Sequence, residues 1–201
     1  MFQVVSVFDD IKSEEIGPAI ILIDPQLGNN IGSAARAMLN CGLKDLRLVR
    51  PRDGWPNASA VKMASGATEV LNNAKVFDNT LEAVSDLNLV LATTARMRDL
   101  SKTVLSPKQA VGWLIDHHAN EGRSGILFGP ERSGLVNDDI VLADAVINVP
   151  LNPKFSSLNL AQAVLIMGYE WFQNSKKSKT VDQLTERTLS LIHISEPTRP
   201  Y

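Results

Sequence analysis

Between Pro18 and Gln173 the chain repeats one pattern, in which a short apolar run is followed by a polar turn and then by helical spacing. The runs "AIILID" (19–24), "LRLV" (46–49), "AKVF" (74–77), "LVLATT" (89–94), "GILFG" (125–129) and "AVINVPL" (145–151) are too short for helices and lack a polar face. Such runs are expected to be strands, with "AIILID", "LVLATT" and "GILFG" read as buried ones. The stretches between them have apolar residues at helical spacing: "NIGSAARAMLNCG" from Asn30, "ASAVKMASGA", "TLEAVSDL" with Thr80 as cap, "SPKQAVGWLIDHHA" and "NDDIVLAD". Strands separated by helices predict an α/β fold, a mostly parallel sheet with helices on both faces. No repeat of fixed period interrupts the series.

Composition narrows the function classes. A formal net charge of -2 gives no bulk positive field, so a nucleic-acid partner would need a local basic patch. Such clusters exist at Lys44, Arg47, Arg50 and Arg52, and at Arg96, Arg98 and Lys102, where ordinary surface charge is an equal reading. Cys41 is the single cysteine, which excludes an internal disulfide and argues against a cysteine-based zinc site. The N-terminus has no basic segment before its apolar residues, and no run is long and charge-free enough to span a bilayer. A cytoplasmic location is the expectation.

Three stretches hold polar residues that a core does not need, and each follows a strand. In "DPQLGNNIGSAARAM" a Gly-Asn-Asn-Ile-Gly loop opens a helix of small residues. Its G-x-x-x-G spacing fits neither the dinucleotide fingerprint nor a P-loop, and a plain strand-to-helix turn is the competing reading. Arg36, six residues after Asn30, is either a surface residue or one aimed at a site on the carboxyl edge of the sheet. In "ILFGPERSGL" the Glu131-Arg132 pair follows a strand end, where open α/β sheets place ligands, or else faces solvent as an ordinary ion pair. In "PLNPKFSSLNLAQAVLIMGYEWFQ" prolines, asparagines and a Ser-Ser pair precede an apolar helix. The plain reading is a turn with Ser157 as helix cap.

Taken together, "NNIGSAARAM", "LFGPERSGL" and "PLNPKFSSLNLAQAV" resemble the three ordered motifs of the SpoU/TrmH branch of the SPOUT methyltransferases. With "ATTAR", the third motif is most similar to the TrmJ-type tRNA 2'-O-methyltransferases. The resemblance covers roughly Gly17 to Gln173. It implies a deep trefoil knot, S-adenosyl-L-methionine bound there, an obligate homodimer, and no metal. Thr93, Thr94, Ala95, Gly129, Val149, Ser156, Ser157 and Leu158 match the family's cofactor-lining positions. Arg36 matches a catalytic arginine, proposed to contact the target phosphate and help deprotonate the ribose hydroxyl. Because arginine holds its proton so firmly, positioning is the firmer of the two roles. Asn30, Glu131, Ser157 and Asn159 match the remaining catalytic positions.

The implied reaction is methyl transfer to a ribose 2'-hydroxyl of RNA, chiefly tRNA at cytidine or uridine in the anticodon loop. An rRNA methyltransferase of the same family and a catalytically silent RNA-binding relative are the alternatives. A nucleotide-dependent oxidoreductase would share the layout but lacks its phosphate-binding glycines here. The methyltransferase domain is expected over 1–173, with a linker and the start of a shortened C-terminal extension at 174–190. Residues 191–201 ("LIHISEPTRPY") resemble translated sequencing-adapter DNA and are read as non-native. His117 and His118, at the end of a helix, are expected at the surface.

Overall fold

The computed structural model describes residues 17–94, 102–120 and 122–175. The elements are β1 Ala19–Ile23, α1 Gly28–Asn40, β2 Leu46–Val49, α2 Ala58–Ala64, α3 Thr68–Asn72, β3 Lys75–Phe77 and α4 Thr80–Val84. Then come β4 Leu89–Thr93, β5 Thr103–Leu105, α5 Pro107–Ala119, β6 Ser124–Phe128, α6 Asn137–Val141, β7 Ala145–Ile147 and α7 Leu160–Ser175. The seven strands form one sheet in the order β3-β2-β1-β6-β4-β7-β5. Every strand pair in it is parallel.

The α/β architecture matches the expectation from the apolar runs, and the two faces are covered unequally. Ile20, Leu22, Leu48, Leu91, Ile126 and Phe128 pack against α1, α2, α3, α5 and α7. Their alternates Ile21, Ile23, Val49, Ala92 and Leu127 pack against the short α4 and α6. All five residues of β1 and of β6 are buried, as strands sandwiched between helices must be. Gly32 lets α1 and α2 touch, since a Cβ there would overlap the backbone carbonyl of Ala60.

Several local expectations are corrected. "ASAVKMASGA" is not one helix: Ser65 (φ 46°) and Gly66 (φ 96°) take left-handed backbone and split it before α3. β5 was not anticipated, because only Leu105 of its three residues is buried. Asn79 rather than Thr80 caps α4, accepting the Glu82 N–H, while the buried Thr80 hydroxyl donates to Asp139 at 2.6 Å. Ser157 is not the cap of α7 either. Asn159 Oδ1 accepts the Ala161 N–H at 2.9 Å instead.

Candidate active site at the carboxyl edge of the sheet

The carboxyl ends of β4, β6 and β7 lie side by side, and their three outgoing loops enclose a cavity of about 300 Å³. From β4, Thr93 donates through Oγ1 to the Leu127 carbonyl at 2.9 Å, and the Thr94 N–H donates to the Ile147 carbonyl at 2.9 Å. These bonds tie the three strand ends together at one level. From β6, the chain turns at Gly129 and folds back through Gly134, which has a left-handed φ of 67°. A Cβ on Gly129 would overlap the backbone of Gly134 and Leu135, so only glycine permits this fold-back. From β7, Val149, Ser156, Ser157 and Leu158 close the third wall. Phe128, Ile147 and Leu160 give the cavity an apolar floor, and the threonines, serines and Glu131 give it a polar rim.

Of the cofactor positions, Thr93, Thr94, Gly129, Val149, Ser156, Ser157 and Leu158 all line this cavity. Ala95 lies outside the described residues, as do Arg96 and Arg98. Of the catalytic positions, Glu131 and Ser157 line it too. Asn30 and Asn159 join it through a hydrogen-bonded chain. Asn30 Nδ2 donates to Glu131 Oε1 at 2.6 Å, and Asn159 Nδ2 donates to Asn30 Oδ1 at 3.1 Å. The Gln26 N–H donates to Glu131 Oε2 at 3.1 Å, so both carboxylate oxygens are engaged. An ionised carboxylate only accepts, which fixes the Asn30 amide with its nitrogen toward Glu131. All three motifs meet in this one chain of contacts.

Arg36 is apart from that cluster. It lies exposed on α1, about 9 Å along the axis from Asn30, and is not part of the cavity wall. Arg132 is exposed and does line the cavity, although it was not among the expected site residues. Its position directly after Glu131 was the available signal.

The first basic cluster is neutralised. Arg47 is 1% exposed and bonded to Asp86 (2.5 Å), Asp45 (2.9 Å) and the Ala83 carbonyl (2.7 Å). Hydrogen bonding from Arg47 holds the Asp86 carboxyl below its usual range. Arg50 makes a two-pronged bond to Asp24, at 2.8 and 2.9 Å, and that bond raises its pKa. Lys44 pairs with Glu69 and Arg52 with Asp53. Lys102 donates to the carbonyls of Val141 and Ala143. His117 and His118 are half-buried, contrary to the expectation of a surface location. His118 bonds the Ser124 hydroxyl and packs on Trp171, and burial lowers its pKa. They sit at the amino edge of β6, away from the cavity.

Among the described residues no group of three or more His, Cys, Asp or Glu could hold a metal ion. No described helix is long and apolar enough to cross a membrane.

The SpoU rRNA methylase family model matches residues 17–169, which hold every wall of the cavity. The chain belongs to that family. The TrmJ structure from Z. mobilis ZM4 is 59% identical over 78% of this chain and 69% of its own, with a TM-score of 0.75. TrmJ of Pseudomonas aeruginosa, a tRNA (cytidine/uridine/adenosine-2'-O-)-methyltransferase, is 39% identical over 75% of this chain. This SpoU protein spans 58% of that relative's length. The SpoU methyltransferase AviRb of Streptomyces viridochromogenes, solved with AdoMet, shares the fold at 19% identity and a TM-score of 0.67.

Proposed function

We propose that this protein transfers a methyl group from S-adenosyl-L-methionine to a ribose 2'-hydroxyl of tRNA. The observation that carries the reading is the meeting of all three motifs at the cavity, through the chain Glu131–Asn30–Asn159. The cavity's chemistry suits the donor: a flat purine fits the apolar floor of Phe128, Ile147 and Leu160, and its polar groups fit the rim of Thr93, Thr94, Ser156 and Ser157. When bound, S-adenosyl-L-methionine supplies a methyl group already activated on a sulfonium.

The protein then has to align the hydroxyl and accommodate its proton. Glu131 acts as a positioning residue, since both its oxygens already accept hydrogen bonds. It holds Asn30, whose amide keeps one N–H and one lone pair for substrate. Asn159 steadies Asn30 from the other side while its own oxygen starts α7. Ser157 offers a hydroxyl at the cavity wall. Arg36, exposed and without a described partner, binds the phosphate of the target nucleotide.

The assembly is a homodimer. Leu165 and Tyr169 on the outer face of α7 are 44% and 56% exposed and suit contact with a second copy. The 1–173 region acts as one catalytic domain, and its C-terminal part forms a trefoil knot. β7, the last strand in the chain, is inserted between β4 and β5 in the sheet, an order that fits a threaded chain. The protein works in the cytoplasm, where its RNA resides.

The test is transfer of labelled methyl from S-adenosyl-L-methionine to tRNA and, in parallel, to rRNA. Transfer to tRNA is expected, and a 2'-deoxy nucleotide at the mapped position should abolish it. Arg36→Ala should keep donor binding in calorimetry and lose nearly all transfer. Methylation of the deoxy substrate would defeat the assignment of the ribose oxygen. Transfer to rRNA alone would overturn the choice of tRNA.

A further inference from the structure

The loop between β7 and α7 holds a phenylalanine where burial energy would not put one. Phe155 is 72% exposed, the most exposed large apolar side chain among the described residues. Its backbone is pinned: the Phe155 N–H donates to the Asn152 carbonyl at 2.8 Å, and the Lys154 N–H to Asn152 Oδ1 at 3.0 Å. Pro153 fixes one φ between them. The ring is thus held in water by a short turn, one residue before Ser156 and Ser157 in the cavity wall.

Cations on the two cavity loops differ from the ion-paired cations around β2 and the start of β6. Lys44, Arg47, Arg50, Arg52 and Arg123 each pair with a carboxylate. Lys154 and Arg132 do not, among the described residues, and both are exposed at the cavity loops. An exposed aromatic face next to one unneutralised cation, with a second at the mouth of the cavity that Ser156 and Ser157 line, suits an unpaired nucleotide, with its base on the ring and its phosphates on the charges. A membrane surface would call for several apolar residues on one plane, and Phe155 stands alone on its loop.

We propose that Phe155 is a stacking platform for one unpaired base of the RNA, with Lys154 and Arg132 holding its flanking phosphates. Every base has a π-face, so the contact adds affinity near the methyl donor without choosing the base. The inference rests on the RNA methyltransferase reading above.

The experiment uses the full chain, a labelled tRNA transcript, and variants Phe155→Leu and Phe155→Trp in fluorescence anisotropy. Leucine keeps the apolar bulk and removes the π-face. We expect F155L to weaken tRNA binding about tenfold and F155W to bind as the parent does. Lys154→Gln should reduce the slope of log affinity against log salt by about one. Donor affinity by calorimetry and mass by light scattering should be unchanged in all three. An F155L chain that binds tRNA like the parent overturns the proposal. Loss of donor affinity in F155L would assign the ring to the donor cavity, and a change of mass would assign it to contact between copies; either also overturns it. A parent chain that binds no RNA brings down the functional reading as well, whereas a parent that binds RNA with F155L unimpaired brings down the stacking alone.

Discussion

Arg47 holds a full charge inside the sheet and presents none of it to solvent. On β2 it faces the same side as Ile21 of β1, where α4 covers it. Asp45, Asp86 and the Ala83 carbonyl take its donors. Removing one member of a buried pair leaves groups without partners, and for Arg47→Met we expect a loss of about 3 kcal/mol in urea denaturation. The loss stays at the low end for such a pair because the side chains of Asp45 and Asp86 remain 16% and 39% exposed. Acid adds a second readout. The Asp86 carboxyl is held low in the folded state, so its contribution is complete above its ordinary pKa and is lost as pH falls through the folded value. The parent should therefore lose more stability than Arg47→Met between pH 5 and acid. tRNA affinity should not change, since no phosphate can reach the guanidinium. A variant of parental stability with weakened RNA binding would refute this account and restore the basic-cluster reading.

At the scale of elements, the apolar runs disclosed six of the seven strands; β1 and β6 are the clearest, since complete burial leaves no charged residue in the run, whereas β3 has Lys75 and Val76 exposed. β5 escaped because Thr103 and Val104 are exposed and only Leu105 meets the core. The cap of α4 was misplaced because Asn79 and Thr80 both carry capping side chains, and only the tertiary contact with Asp139 decides between them. Arg47 was misread for a similar reason: a sequence displays charge, and the partners that bury it come from α4 and the loop beyond. The cavity residues were legible through the resemblance of the three motifs, whereas the place of Phe155 emerges only in the folded chain, since exposure is not written in residue type. Among the site's loops the tightest is the one after β6. Gly129→Ala would press its Cβ on the backbone of Gly134 and Leu135, which cannot give way as a side chain tip can. The expected results are a loss of about 1–3 kcal/mol in stability and at least a tenfold weaker donor, read by thermal melts and calorimetry. Parental donor affinity in that variant would show that the fold-back does not shape the cavity.

For the whole molecule, the question is what α7 does beyond closing the site. Leu160, Val164, Met167 and Trp171 complete the core on the face shared with α1 and α5. Trp171 lies against the His118 ring, and its indole nitrogen would be 3.1 Å from a Cβ on Gly17, where the described chain enters β1. Gly168 sits against Cys41, just past the end of α1, where an added Cβ would come within 3.1 Å of the Cys41 side chain. One helix therefore joins the cavity loop, the end of α1, the end of α5 and the start of the sheet. A chain ending before Pro150 would leave those apolar faces in water and remove Ser156, Ser157 and Leu158 from the cavity. It should aggregate or melt tens of degrees lower and bind no donor. A chain ending after Lys177 retains α7 entire, and its melting temperature and donor affinity should match the parent's. Calorimetry with S-adenosyl-L-methionine and light scattering on the two truncations separate the outcomes. Donor binding by the shorter chain, or its loss from the longer one, would mean that the cavity is built by residues other than those meeting at the ends of β4, β6 and β7.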